Sequence, residues 1–400
     1  MKIIISHPTG NANTRAAIDG LYKANLLHSF HTCVAVFSNS WFYNFCIGPL
    51  RVLRKRSFST YLKPYTYKYP FRELLRNLKV SKVNVDKVYH NLDNNVSQFI
   101  LKHYDEIDAV YAYDDGAYIQ FKQAKKLGIK CLYDLPIIHW RTYQRLLQSE
   151  ELINPEWAET LGNTFRDSKE KLKRKDEELT LADHIFVAST FTKYSIEQDF
   201  PYQHADISVV PYGFPDIYKD RIYTSVKDRK IRFLYVGRLS QAKGLSYMFK
   251  AFDNFKAEIE LTLVGQRSTN KCQVLNEALA ENNYLGILSH DEVLKEMRNN
   301  DVLIFPSLFE GFGMVVTEAM SQGTPVLTTN RTCGVNFIEN GENGWIVNAA
   351  DVEQLQIVIQ SIIDNRERLA DIGRKAMRTA EQRPWLRYEE ELSSKIKELL

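Results

Sequence analysis

Residues 301–329, DVLIFPSLFEGFGMVVTEAMSQGTPVLTT, decide the fold. DVLIFPS is a short apolar run suited to a buried parallel strand, and Pro306, Gly311 and Gly313 end it in a turn. A helix is predicted next, with an apolar face of Met314, Val315 and Ala319 and a stop at Gly323 before Pro325. A second strand follows. Two carboxylates mark the unit: Glu310 just ahead of the first helical turn and Glu318 inside the helix. Eight residues at helical rise put them roughly 10–12 Å apart along the axis, too far for one proton relay. Gly311 and Phe312 shape the turn, and the amides of Gly313, Met314 and Val315 at the helix start would favour anionic or hydroxyl oxygens of a ligand.

Working outward, the same alternation recurs. Residues 2–6 read as a strand, followed by the turn HPTGN and a helix over 13–28; Gly10 and Asn11 sit in that turn, where an open α/β sheet presents a phosphate site. A second strand is expected at 33–37, strands at 108–112, 130–133, 184–188 and 207–210, and helices at 93–104, 117–127 and 191–200. Asp114 and Asp115 are expected to cap the helix that follows them rather than to hold a metal. His139 lies just past a strand's carboxyl end, with Trp140, Arg141 and Tyr143 behind it. The charged stretch 150–182 reads as a helix with a solvated face. After a polar linker at 215–230, IRFLYVGRLSQAKGLSYMFKAF predicts strand, turn and helix; Arg238 and Lys243 on the turn are spaced as an anion clamp. Strands at 259–265 and 283–288, helices at 274–282 and 291–300, and a helical tail from 351 complete the pattern.

At 400 residues and 46.5 kDa the chain is long enough for two domains, and 44% hydrophobic with 25% charged residues is ordinary globular composition. A net charge of +3 is too mild to imply nucleic acid. The charge is uneven, however. Ten basic residues lie between Arg51 and Lys82 against one acid, Glu73, interleaved with tyrosines and phenylalanines. Two readings stand for this patch: contact with an anionic membrane surface, or a solvated face whose tyrosines pack back onto the domain. Cysteines 33, 46, 131, 272 and 333 are scattered and odd in number, so neither a disulfide framework nor a zinc site is expected. The start MKIIISHPTG reads as a strand rather than a signal segment, no run spans a bilayer, and the expected location is the cytoplasm.

The opening stretch also carries a resemblance. Glu310-GFGMVVT-Glu318 is similar to the E-x7-E signature of retaining glycosyltransferases of family 4, and PSLFEGFG with EAMSQGTPV follows that family almost position by position. VASTFT, PYGF, GRL…KG and LGILSHDE resemble further segments of it. The resemblance implies a GT-B fold: two Rossmann-like doubly wound domains facing a cleft, 1–214 on the acceptor side and 215–383 on the donor side. It also implies a last helix, 384–400, crossing back. It implies a nucleotide-sugar donor, UDP- or GDP-linked, a saccharide or lipid-linked acceptor, and no metal or other cofactor. Arg238 and Lys243 would neutralise the donor diphosphate, Glu318 would hold the ribose and Glu310 the sugar. The backbone at Leu288 and Ser289 would hold the base. His139 would meet the sugar from the opposite domain, and Trp140, Arg141 and Tyr143 would line the acceptor side. Asn336 and Phe337 depart from the family, which commonly has Pro-Glu there. The same scaffold also serves nucleotide-sugar epimerases, and a non-catalytic nucleotide-sugar-binding module is the other alternative.

Overall fold

The computed structural model describes residues 1–38, 54, 56–77, 84–162, 167–200, 202 and 204–400. In the first half, β1 (Ile3–Ser6), β2 (Leu27–Thr32), β3 (Val36–Phe37), β4 (Ser57–Phe58), β5 (Thr66–Lys68), β6 (Ala109–Tyr113), β7 (Lys130–Leu135), β8 (His184–Val187) and β9 (Asp206–Val209) follow in order. All but β3 and β4 form one parallel sheet, ordered β5-β2-β1-β6-β7-β8-β9, and β3 pairs with β4 beside it. The second sheet is built from β10 (Ile231–Val236), β11 (Ile259–Val264), β12 (Asn283–Gly286), β13 (Val302–Phe305), β14 (Val326–Thr329) and β15 (Gly344–Val347). It too is parallel, in the order β12-β11-β10-β13-β14-β15. Helices on both faces explain why IIIS of β1 and VLIF of β13 are buried along their whole length: such strands have no wet side.

The first domain's helices are α1 (Ala12–Lys23), α2 (Phe71–Asn77), α3 (Val85–Lys102), α4 (Tyr118–Lys126), α5 (Trp140–Ile153), α6 (Ala158–Leu161), α7 (Lys169–Leu181) and α8 (Thr190–Asp199). The second domain carries α9 (Leu245–Phe252), α10 (Gln273–Glu281), α11 (His290–Asn299), α12 (Met314–Ser321), α13 (Val352–Asp364) and α14 (Leu369–Glu381). A final helix, α15 (Trp385–Leu399), lies on α1 of the first domain, with Lys23 paired to Glu389 at 2.5 Å and Gly20 leaving room for the Glu389 backbone. Two facing Rossmann-like domains of this kind are the GT-B arrangement. No described helix is long and apolar enough to cross a membrane.

Several expectations need correcting. The second strand is 27–32, not 33–37, because its polar residues find partners indoors: Ser29 Oγ meets His31 Nε2 at 2.9 Å, and His31 Nδ1 meets Tyr69 Oη at 3.0 Å. The stretch 150–182 is not one solvated helix. It is broken around Asn154 and Pro155, and α7 buries Lys175 and Glu178. Asp114 and Asp115 do not cap α4. They bind Lys175 at 2.5 and 2.9 Å, while Glu178 accepts the amides of Asp115, Ala117 and Tyr118, and Asp93 those of Ile119 and Gln120. The apolar face of α12 is Val316, Ala319 and Met320; Met314 and Val315 are only partly covered.

Of the basic-aromatic stretch 51–82, Arg51, Lys55, Lys79 and Lys82 lie outside the described residues. Among the described ones, Tyr61 stacks on Tyr22, Tyr67 on His31, and the buried Glu73 binds Arg56 at 3.2 Å and Arg76 at 2.9 Å. Phe71 and Leu74 of α2 stay exposed. Cys46 also lies outside; Cys33, Cys131, Cys272 and Cys333 are buried free thiols.

Candidate active site

The site forms where the turn after β13 meets the turn after β10. Gly244 has φ +71°, and a side chain there would run into the Pro306 carbonyl, so the two turns can touch only because position 244 lacks a Cβ. The contact carries Lys243 to Glu310, and the two form an ion pair. Ser307 donates to Glu310 Oε1 at 2.7 Å, and the Glu310 amide donates to Arg331 O at 2.9 Å, which fixes the carboxylate beside the cation. Arg238, on the same β10 turn, is exposed, with Nε donating to Ser268 Oγ at 3.2 Å. Its positive charge is felt by Tyr143 across the cleft: burial raises the phenol pKa and Arg238 opposes the rise.

Gly313, at φ +93°, is the N-cap of α12, so the helix starts directly from the glycine turn, with Met314 and Val315 in its first turn. Glu318 lies one turn further on. Burial raises its carboxyl pKa, and the nearby His290, whose Nδ1 is 3.9 Å from Oε1, counteracts the rise. His290 was not singled out from the sequence, although it directly follows the Leu288–Ser289 pair. Ser289 itself is engaged: it caps α11 in a reciprocal box with Glu292, whose Oε2 accepts the Ser289 amide at 2.8 Å. That amide is therefore taken up within the cap.

The facing wall comes from the first domain. Gly311 sits on it so closely that a Cβ would collide with the Pro136 carbonyl and lie 2.8 Å from Ile137 Cα. Phe312 is buried there, its ring 4.7 Å from that of Tyr212, and Thr192 donates to Gly311 O at 3.1 Å. Tyr143 meets Phe309 edge-on at 5.1 Å. Beside this contact a cavity of about 290 Å³ is lined by Asp114, Ile137, His139, Trp140, Tyr143 and Lys175. His139 is 1% exposed; its Nε2 lies 3.6 Å from Asp176 Oδ1 and has no closer polar partner among the described residues. Trp140 Nε1 and the Arg141 guanidinium both donate to Asp176, at 2.8 Å and at 2.9 and 2.5 Å, so these two side chains tie α5 to α7.

The β1 turn is arranged differently from a phosphate loop. The space beside Gly10 (φ +63°) is filled by the Phe58 ring, and its amide donates to His7 Nδ1 at 2.8 Å. Asn11 Oδ1 accepts from the Thr14 amide at 3.1 Å and its hydroxyl at 2.7 Å, capping α1. Burial, reinforced by Arg56, lowers the His7 pKa to about 3 and keeps the ring neutral as an acceptor.

Behind Lys243 the domains share a buried polar cluster. Tyr247 Oη donates to Glu150 Oε1 at 2.9 Å, Gln241 Nε2 donates to Glu150 Oε2 at 3.0 Å, and the Gln241 amide donates to Thr160 Oγ1 at 2.9 Å.

The architecture has counterparts of known structure. Sucrose-phosphate synthase from Thermosynechococcus elongatus superposes with a TM-score of 0.65 at 16% identity, covering 100% of this chain and 99% of that one. Anabaena HepE, solved in complex with UDP and glucose, gives 0.63 at 17% identity, with 100% of both chains covered. These likenesses establish the GT-B fold.

The sequence adds to this: residues 217–379, within the second domain, match the family model described as glycosyl transferases group 1. Among characterised sequences, the capsular polysaccharide biosynthesis glycosyltransferase CapM of Staphylococcus aureus is 30% identical over 152 residues, 35% of this chain and 40% of CapM. The aligned part thus spans less than half of that relative's length.

Proposed function

We propose that the protein is a retaining, metal-independent glycosyltransferase of family 4 that moves a hexose from a UDP- or GDP-linked donor to a saccharide or lipid-linked acceptor. The observation that carries the reading is the Lys243–Glu310 ion pair, held at the meeting of two glycine turns with Arg238 on the same rim. It lies within residues 217–379, which match the group 1 glycosyltransferase model, and the chain is similar over 152 residues to a capsular polysaccharide enzyme.

In this reading residues 215–383 bind the donor, 1–214 receive the acceptor, and 384–400 join the two. Sugar transfer breaks the bond from the anomeric carbon to the diphosphate oxygen and forms one to an acceptor hydroxyl oxygen, whose proton passes to the departing diphosphate. Negative charge grows on that diphosphate, and fixed cations stabilise it most effectively. Arg238, Lys243 and the first-turn amides of α12 take that role. Glu310, already beside Lys243, accepts from sugar hydroxyls, and Glu318 from the ribose. The cavity beside His139 and Tyr143 faces the acceptor. Gly10 and Asn11 are given packing and capping roles instead. Exposed Phe71 and Leu74 beside a basic stretch fit peripheral contact with an anionic membrane from the cytoplasmic side, as a lipid-linked acceptor in cell-envelope polysaccharide assembly would require.

The test is a thermal-shift panel of UDP, GDP, ADP and their sugar conjugates, with and without added metal, on wild type and Glu318→Ala. A ligand at 100 times its Kd adds about 2.7 kcal/mol of stability. Stabilisation of wild type by one nucleotide series, lost in the variant, is expected. Absence of any stabilisation removes the nucleotide-sugar reading, and binding without transfer to any acceptor leaves a binding module.

A further inference from the structure

A second cavity, of about 660 Å³, opens at the amino ends of β10 and β13, the opposite end of the sheet from Lys243 and Glu310. Arg221, Lys227, Arg232, Arg298 and Arg366 line it, against two acids, Asp301 and Glu367. Asp301 is already neutralised: Arg229 grips it with two bonds of 2.6 and 2.8 Å, and the Arg232 amide adds a third at 2.8 Å.

The remaining arginines are held mainly by neutral groups; Arg232 Nε also lies 3.8 Å from Asp301 Oδ2, a carboxylate that Arg229 grips more closely. Arg221 donates to Asn300 O at 2.8 Å and Met297 O at 3.4 Å. Arg298 donates to Gln322 Oε1 at 2.5 Å, Arg366 to Ile363 O at 3.0 Å, and Arg232 to Thr224 Oγ1 at 3.2 Å. Such bonds fix the side chains without cancelling their charge. Arg221 Nε and Arg232 Nε are shut off from solvent and have no hydrogen-bond partner among the described residues. The crowding is felt at Arg221: burial lowers its pKa, and the like charges of Arg232 and Arg298 push the same way, against Tyr223 and Asp301.

Oriented guanidinium forks gathered around one cavity match the oxygens of a phosphate group, and a cavity of this size holds more than a bare ion. Ile222, 82% exposed, supplies apolar surface at the same place. We propose that this cavity is a second anion site, separate from the Lys243 turn, that takes a phosphate group carried on a small organic body. Its wall is continuous with the far end of α12. Arg298 holds Gln322, Tyr218 donates its amide to Ser321 O, and Tyr223 donates to Gly323 O, so an occupant bears on the helix that carries Glu318.

The test uses inorganic pyrophosphate on the full chain, in an Arg238→Gln/Lys243→Met background that removes the cations of the other site. Saturable binding by calorimetry is expected there, weakened at least tenfold when Lys227→Ala and Arg232→Gln are added. Arg232 and Lys227 are at least partly exposed, and an unchanged urea midpoint checks that the variant is folded. Hydrogen exchange on wild type gives a readout free of substitutions: protection over 221–232 and 296–301 is expected. No saturable binding, equal binding in both variants, or protection confined to 238–244 would overturn the proposal. Given binding, co-sedimentation with phosphatidic acid vesicles but not phosphatidylcholine vesicles assigns the phosphate to a lipid headgroup, and its absence to a soluble molecule.

Discussion

Glu150 of the first domain and Tyr247 of the second are joined by a hydrogen bond of 2.9 Å, with both side chains buried. Gln241 and Asn154 complete the shell around the same carboxylate, each at 3.0 Å. Burial, followed by the Glu150 charge, pushes the Tyr247 phenol well above its usual pKa, so it stays protonated as a donor. Tyr247→Phe removes one donor to a buried carboxylate, which costs about 1.5–3 kcal/mol. Urea unfolding should show that loss.

Lys243→Met should lower turnover by about 10²–10³, the range seen when one stabilising group is removed from a developing oxyanion. Its pair with Glu310 is partly open to water, so folding stability should shift by only about 1 kcal/mol. Steady-state rates beside urea midpoints separate the two effects. Wild-type turnover in the folded variant removes Lys243 from the mechanism.

Gly311→Ala places a methyl group into the Pro136 carbonyl of the other domain. The domains must part at that point. Turnover should fall steeply while nucleotide affinity, a property of the second domain, changes little; a parallel loss of both would contradict this placement of the contact.

Lys175 binds Asp114 and Asp115 in the interior, and the Asp114 charge is the main factor raising its pKa against burial. Lys175→Met leaves two carboxylates without their buried partner, a change that costs about 3–5 kcal/mol. The expected readout is a lower melting temperature, partly restored by Asp114→Asn in the same chain.

Burial lifts the carboxyl of Asp134 to about 7, with the Tyr111 hydroxyl at 2.6 Å opposing the rise. A raised folded pKa means that its stabilising contribution is complete below the unfolded value of about 3.9 and is lost as pH rises through about 7. Asp134→Asn removes that term. Wild type should therefore lose stability relative to the variant between pH 4 and 8, as followed by urea midpoints at each pH.

The sequence made the layout legible wherever burial is written as an apolar run. IIIS, VLIF and IRFLYV are strands as expected, and the glycine turns that bring Lys243 to Glu310 lie where the prolines and glycines put them. What escaped was polar pairing over long sequence distances. LHSFHT does not look like a largely covered strand until Tyr69 is placed beside His31, and Lys175 does not look buried until two aspartates about 60 residues away meet it. The capping of α4 by Glu178, the approach of His290 to Glu318 and the Glu150 cluster are of the same kind. Periodicity reports which face of an element is dry; it says nothing about which distant group satisfies a buried charge.

The chain passes between the domains twice, at Phe214 and at Pro384, and the two passages lie side by side: the Phe214 amide donates to Arg383 O at 2.8 Å, and Arg383 reaches back to Pro211 O at 2.6 Å and Tyr212 O at 3.3 Å. A single covalent strand would let one domain swivel in any direction. Two strands lashed together behave as a pinned door: they resist twisting and leave rotation about one line as the easy motion. Opening and closing of the cleft is thereby reduced to one angular coordinate, and a pair of distance labels across the mouth is enough to follow it.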